Sequence, residues 1–252
     1  MATLANILNW CDQTLKTAEF KDYAPNGLQI EGKPEIKKIM CAVTASLDAI
    51  EACIQQKADV LLVHHGYFWK GEAAAITGMR GQRIKKLIQH DISLIAYHLP
   101  LDAHPEYGNN ASIAELLNLT QLEALDPTEK HPIGNIGYLE QPLSIEAFQQ
   151  LLAQKFQRDI VHLPATSQTI QKVGFCTGAA QDFITKAAAQ QCDAYLSGEV
   201  SERTFYEAKE LGVHYFACGH HATEQFGVQR LGQALAQQFD LEYSYYELEN
   251  PI

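Results

Sequence analysis

The feature of this 252-residue chain that most restricts its fold is a stretch that occurs twice. "KIMCAVTASLDAIEACIQQKADVLL", starting at Lys38, aligns without a gap to "KVGFCTGAAQDFITKAAAQQCDAYL", starting at Lys172. Lys38/Lys172, Ala45/Ala179, Asp48/Asp182, Ile50/Ile184, Gln56/Gln190, Asp59/Asp193 and Leu62/Leu196 are identical. Each copy reads as a short apolar strand, a helix starting near the first aspartate, and a second apolar strand introduced by the next. That order favours parallel strands joined by a right-handed crossover. The boundaries match in both copies, which points to duplication rather than to chance likeness of alanine-rich helices.

Both copies continue with a helix and another apolar strand. "GQRIKKLIQHDISLIAYHLPLDAH" predicts a helix and then a strand over Ile92–Tyr97. "SERTFYEAKELGVHYFACGHHATE" predicts a helix stopped by Gly212 and a strand over Val213–Cys218. The expected fold class is α/β, with two related lobes covering residues 1–125 and 126–252. The boundary is placed in the polar, proline-bearing segment Leu125–Pro132, and the C-terminal segment is free to pack back on the first lobe. Leu4, Ile7, Leu8, Cys11 and Leu15 recur at helical spacing and predict an N-terminal helix. Open α/β sheets bind ligands just past the carboxyl ends of their strands. A metal site is therefore expected in the cleft between the lobes, at those ends.

Unusual residues gather where this geometry points. The apolar run "ADVLLV" ends in His64 and His65, and the next strand leads to His98, Asp102 and His104. The second copy offers Glu199 after one strand and "GHHATE" (Gly219 to Glu224) after the next. His220 and Glu224 are four apart at or near the start of a helix whose apolar positions are Val228, Leu231, Leu235 and Phe239, so they can face the same way. His64, His65, Asp102, His220 and Glu224 make a set of three imidazoles and two carboxylates. Mixed nitrogen and oxygen ligation suits Zn, Mn, Fe, Co or Ni. Adjacent strand residues point to opposite faces, so His64 and His65 can serve two different ions. In that reading Glu224 bridges the pair, with Asp102 beside His64 and His220 beside His65. Two ions about 3.5–4 Å apart can share a water or hydroxide and polarise a substrate oxygen. The plainer alternative is a group of solvated loop histidines, with Glu224 favouring a helix N-terminus.

Other residues are candidates of a second kind. His98 is close in sequence to Asp102 and is taken as a catalytic or supporting histidine, with structural packing as the alternative. Glu199 occupies the repeat position of His65 and is a candidate general base, or else a cap for the helix beginning near Ser201. Tyr67, Trp69 and Lys70 in "YFWK" are the candidate substrate contacts; Tyr67 or Trp69 can stack a planar base, although such aromatics more often pack. "MRGQRIKK" (Met79 to Lys86) is the densest basic run, and Asn26-Gly27 reads as a turn. His104 and His221 flank the main candidates.

Composition then removes several classes of function. With 30 acidic and 19 basic residues the formal charge is −11, which argues against a broad nucleic-acid surface. The six cysteines (Cys11, Cys41, Cys53, Cys176, Cys192, Cys218) include no Cys-x-x-Cys and suit a reducing compartment. No apolar run approaches the roughly 18 residues of a membrane span, and the N-terminal segment lacks the pattern of a signal peptide. A cytoplasmic location is expected. No Walker loop, nucleophile elbow or dinucleotide fingerprint follows a strand.

Taken together, "DYAPNGLQIEG", "VHHGYFWKGE", "HLPLDAHPEYGNNA", "SGEVSE" and "GHHATE" resemble the bacterial GTP cyclohydrolase type-2 homologues, the NGG-interacting-factor-three-like family. The resemblance runs in order from about Tyr23 to Glu224. It implies two α/β lobes around a dinuclear metal site, the same five ligands, and assembly into a ring-shaped homo-oligomer, typically a hexamer. It also implies the short form of the family, because the gap between the lobes is too short for an inserted domain.

Two functions follow. The first is a metal-dependent hydrolase acting on a small, nucleotide-like substrate through a metal-bridging hydroxide. The alternative is a non-catalytic metal-binding scaffold or regulatory ring that binds protein partners. A ring threading DNA fits poorly with the charge of −11.

Overall fold

In the computed structural model, which describes residues 2–248 and 250–252, the chain begins with β1 (Ala2–Thr3), α1 (Leu4–Leu15), β2 (Gly27–Ile30) and β3 (Glu35–Ile36). The first repeat follows as β4 (Lys38–Thr44), α2 (Leu47–Gln56), β5 (Val60–His65), α3 (Gly78–Gln89) and β6 (Ser93–Ala96). Next come α4 (Leu99–Ala103), α5 (Asn109–Leu116), β7 (Thr120–Ala124), β8 (Asn135–Ser144), α6 (Ile145–Phe156) and β9 (Val161–Leu163). The second repeat is β10 (Thr169–Phe175), α7 (Ile184–Ala189), β11 (Ala194–Ser197), α8 (Glu202–Leu211) and β12 (His214–Ala217). The long helix α9 (His220–Phe239) and the strand β13 (Glu242–Tyr245) complete the order.

Two compact units result, Met1–Leu101 with Gln225–Glu249, and Asp102–Glu224 with Asn250–Ile252. The sheet of the first unit runs β13-β4-β5-β6-β2. Its first four strands are parallel, and β2 is antiparallel to β6. Strand β5 has a neighbour on either side and is covered on both faces, which is why "VLLV" is a continuous apolar run. Ser46 starts α2 by accepting the Ala49 N–H at 3.1 Å, which satisfies one of the orphan donors of the first turn. Met40, Ile50, Leu61, Val63, Leu87 and Leu94 fill the core. Strand β13 pairs with β4, so the C-terminal segment belongs to this sheet.

The sheet of the second unit runs β7-β8-β10-β11-β12-β9. Strands β10, β11 and β12 are parallel, while β8 and β9 flank them antiparallel. Ile136, Ile184, Tyr195, Val213 and Tyr215 belong to its core. Residues 125–132 lie inside this unit, between β7 and β8, and the chain first passes from one unit to the other at Leu101/Asp102 and returns at Glu224/Gln225. Pairing of β7 with β8 commits the preceding segment to the second sheet.

The two units share the same strand–helix–strand–helix–strand order and the same lock at its start. Asp59 Oδ2 accepts the N–H groups of Lys37 (2.9 Å) and Lys38 (3.2 Å), which open β4. Asp193 Oδ2 accepts those of Gln171 (2.9 Å) and Lys172 (2.8 Å) within β10. Each aspartate thus pins the head of its own strand to the neighbouring one. Among the described residues, no helix is long and apolar enough to cross a membrane.

Candidate metal centre

In the first unit β5 and β6 are parallel neighbours, so their carboxyl ends share one edge of the sheet. Strand β5 ends in His64 and His65, and His98 stands two residues beyond β6. The ring centroids are 4.7 Å apart for His64 and His65, 5.1 Å for His64 and His98, and 5.8 Å for His65 and His98. One ring nitrogen of each lies within 4.8 Å of the others, a group that could hold a metal ion. Strict alternation would send the doublet to opposite sides of the sheet. Here, at the end of the strand, the two rings lie close together with their planes tilted by 50°.

Hydrogen bonds engage Nδ1 of each ring. His64 is fully buried, and its Nδ1 lies 2.9 Å from the Tyr97 carbonyl oxygen. A carbonyl only accepts, so Nδ1 carries the proton and Nε2 keeps the lone pair. His98 Nδ1 donates to Asp22 Oδ1 at 2.8 Å. His65 Nδ1 lies 3.3 Å from Thr44 Oγ1, its cross-strand neighbour on β4. Engagement of one ring nitrogen by an outer partner is the usual way a ligating histidine is oriented.

Asp22 is the centre of a small network of its own. Its side chain is 3% exposed. Its Oδ2 accepts Asn26 Nδ2 at 2.9 Å and the Leu99 N–H at 3.0 Å, while Asn26 Oδ1 accepts the His98 N–H at 2.8 Å. Burial alone would raise its carboxyl; the hydrogen bond and charge of His98, with the bonds from Asn26 and Leu99, outweigh burial and bring it to about 2.

The second unit gathers carboxylates. Asp102 and Glu224 are buried, and an oxygen of one lies within 4.8 Å of an oxygen of the other. Asp102 Oδ1 accepts Asn109 Nδ2 at 2.8 Å and the Thr177 hydroxyl at 3.1 Å. His220 opens α9, with Nε2 3.0 Å from Glu224 Oε2 and Nδ1 2.7 Å from Glu199 Oε1. Burial opposes charging of His220, yet the bonds and charges of Glu224 and Glu199 prevail and hold its proton up to about 9. Gly178, at φ +69°, makes room for this group: a Cβ there would stand 2.1 Å from Glu224 Oε1.

The remaining candidates separate clearly. Helix α8 takes its cap from Ser201, whose N–H donates to the Thr204 hydroxyl at 3.3 Å, so the Glu199 side chain is left to His220. Tyr67 is buried in the first core with its hydroxyl donated to Ala45 O at 2.7 Å, which makes it a packing residue. Trp69 lies against the histidines, 5.0 Å from His98 and 5.9 Å from His65 between ring centroids. Lys70 is exposed, and its N–H donates to Tyr23 O at 2.6 Å. His104 closes a turn by accepting the N–H groups of Glu106 and Tyr107, and the His221 N–H donates to Ile252 O. In the basic run, Arg80 is engaged by Glu72 and Lys86 by Glu51.

Sequence reasoning missed Asp22, Thr44 and the Tyr97 carbonyl. Asp22 lies 76 residues from His98, with only the "DYAPNG" motif as a signal. The donor types in each unit suit divalent transition metals: imidazoles in the first, and an imidazole with carboxylates in the second.

The profile of the family described as Duf34/NIF3 (NGG1p interacting factor 3) matches residues 2–251. A protein of Vibrio cholerae serotype O1 named GTP cyclohydrolase 1 type 2 homolog is 47% identical over 245 residues, spanning 96% of each chain. One of the same name from Pasteurella multocida is 48% identical over 250 residues, spanning 98% of each. Among solved structures, protein ybgI, described as of unknown function, superposes with a TM-score of 0.95 at 39% identity over the whole of both chains. TTHA1606 from Thermus thermophilus gives 0.90 at 28% identity, again over both full chains.

Proposed function

This chain belongs to the Duf34/NIF3 family, and from that premise we propose that it is a metal-dependent hydrolase whose two divalent ions are held by His64, His65, Asp102, His220 and Glu224. One observation carries the reading. Three imidazoles (His64, His98 and His220) each have Nδ1 beside a carbonyl or carboxylate oxygen, and His65 Nδ1 lies beside the Thr44 hydroxyl. Solvated loop histidines have no reason to share that arrangement, and ligands do. The buried carboxylates Asp102 and Glu224 supply the negative charge that a cation requires.

Within this reading His64, Asp102 and Glu224 would hold one ion, and His65, His220 and Glu224 the other. The ions are Zn, Mn, Fe, Co or Ni, as the donor types direct. Bound metal supplies Lewis acidity toward a substrate oxygen and lowers the pKa of water. The chain's own groups do the rest. Glu199 holds the Nδ1 proton of His220 and so acts as a positioning residue. His98, braced by Asp22, presents Nε2 where a proton can be taken or returned. The substrate is a small, nucleotide-like molecule, in keeping with the name that the Vibrio and Pasteurella relatives carry. The reading includes a homo-oligomer, a hexameric ring, in the cytoplasm; six free, buried cysteines support a reducing compartment.

Metal analysis of the purified protein, coupled to a metabolite screen followed by mass spectrometry, tests the proposal. About two ions per chain are expected, with metal-stimulated turnover that His65→Ala or Glu224→Ala abolishes while circular dichroism is unchanged. Full turnover by metal-free protein would overturn it. Metal binding without turnover on nucleotides, phosphoesters and cyclic amides would favour a scaffold instead.

A further inference from the structure

Two aromatic rings, those of Tyr23 and Trp69, stand beside the histidine group of the first unit. Tyr23 is 63% exposed, although the backbone that carries it is fixed. Its N–H donates to Asp22 Oδ1 at 2.6 Å, and its carbonyl accepts the Lys70 N–H at 2.6 Å. That second bond ties the Tyr23 loop to the loop that carries Trp69.

Trp69 is half-buried and held at both ends. Its N–H donates to Glu72 Oε2 at 3.1 Å, and its Nε1–H to Gly66 O at 3.2 Å. The residue before it, Phe68, sits at φ +66°, in the left-handed region that a bulky side chain enters only when its surroundings impose it. Strain of that kind, about 1–3 kcal/mol, collects at ligand clamps and switch regions. Here the turn follows the histidine doublet and folds the indole back toward it. Both rings stand at steep angles to His98, Trp69 at 5.0 Å and 84° and Tyr23 at 6.5 Å and 61° between centroids and planes.

We propose that Tyr23 and Trp69 form an aromatic rim that stacks the planar heteroaromatic ring of the ligand and delivers it to the histidine group. The inference rests on the metal-centre reading, and it names the ligand class as one with a flat base-like ring. Stacking is tolerant of ring identity, because every base has a π-face. The rim therefore selects for aromaticity, and the substituents of the ring are chosen elsewhere.

The test is a titration of the metal-loaded protein with guanosine 5′-monophosphate and adenosine 5′-monophosphate, with ribose 5-phosphate as the ring-free control. Saturable quenching of tryptophan emission is expected with both nucleotides and not with the control. Trp69→Leu should remove the quenching, because the other tryptophan is Trp10 on α1. In equilibrium dialysis Trp69→Leu and Tyr23→Leu should each weaken nucleotide binding by about fivefold to a hundredfold. Trp69→Phe, which keeps an aromatic face, should stay near the wild-type value. Metal content is measured on every sample. Unchanged nucleotide affinity in metal-replete variants, equal binding of ribose 5-phosphate, or no saturable binding of either nucleotide would overturn the rim. A Tyr23→Leu protein that changes oligomeric mass and keeps its nucleotide affinity would do the same. Loss of metal from the wild type itself would instead overturn the metal-centre reading.

Discussion

Gly178→Ala is the substitution that presses hardest on the proposed ligand set. At φ +69° an L-residue is strained whatever the space around it, at a cost of about 1–2 kcal/mol. The added Cβ would also lie 2.1 Å from Glu224 Oε1 and 3.3 Å from His220 Nε2, where ordinary contact begins at 3.4 Å. The carboxylate must therefore retreat by about 1.3 Å, well beyond the roughly 0.2 Å that metal–ligand distances tolerate. Metal affinity should fall by about a hundredfold, equivalent to about 2.7 kcal/mol. Gly212→Ala separates the two effects. That glycine ends α8 at φ +73°, and the nearest atom to its added Cβ is Thr166 Oγ1 at 3.9 Å. It carries the same backbone strain and nothing else. Both variants should lower the melting temperature by roughly 2–8 °C, and only Gly178→Ala should lose metal in competition with a chelator. A Gly178→Ala protein that binds metal like the wild type would refute the assignment of Glu224.

Three further outcomes follow from the geometry. Asp59→Ala and Asp193→Ala each strip two backbone N–H groups of their acceptor, so each should cost about 1–3 kcal/mol in urea denaturation; an effect in only one of them would deny that the two locks are equivalent. His162 is depressed by burial and then by His214, whose Nδ1 lies 2.9 Å from its Nε2, with Glu146 opposing. The unfolded chain therefore binds the His162 proton more readily, and stability should decline as pH falls below about 6.5; His162→Gln should flatten that slope in denaturant titrations. Chelation of metal from the loaded protein should lower its melting temperature, since ligand at a thousand times its Kd stabilises the folded state by about 4 kcal/mol; differential scanning calorimetry with and without chelator reads this directly.

Sequence alone determined the parts of this protein that depend on local order. Short apolar runs, the paired aspartates and the gapless repeat pointed to two parallel βαβ units, because strand and helix patterns are properties of neighbouring residues. The same logic placed His64, His65, His220 and Glu224 at strand and helix ends, and His220 does open α9.

Only the tertiary structure decided which distant groups those residues meet. Asp22 reaches His98 across 76 positions, and Glu199 reaches His220 across 21. It turned Tyr67 into the core and set Trp69, two residues on, against the imidazoles. It gave β7 to the second sheet and β13 to the first, since each strand goes where its pairing partner lies. The physical reason is the same throughout. A side chain's own chemistry fixes what partner it requires, while burial and strand pairing fix which residue arrives to supply it.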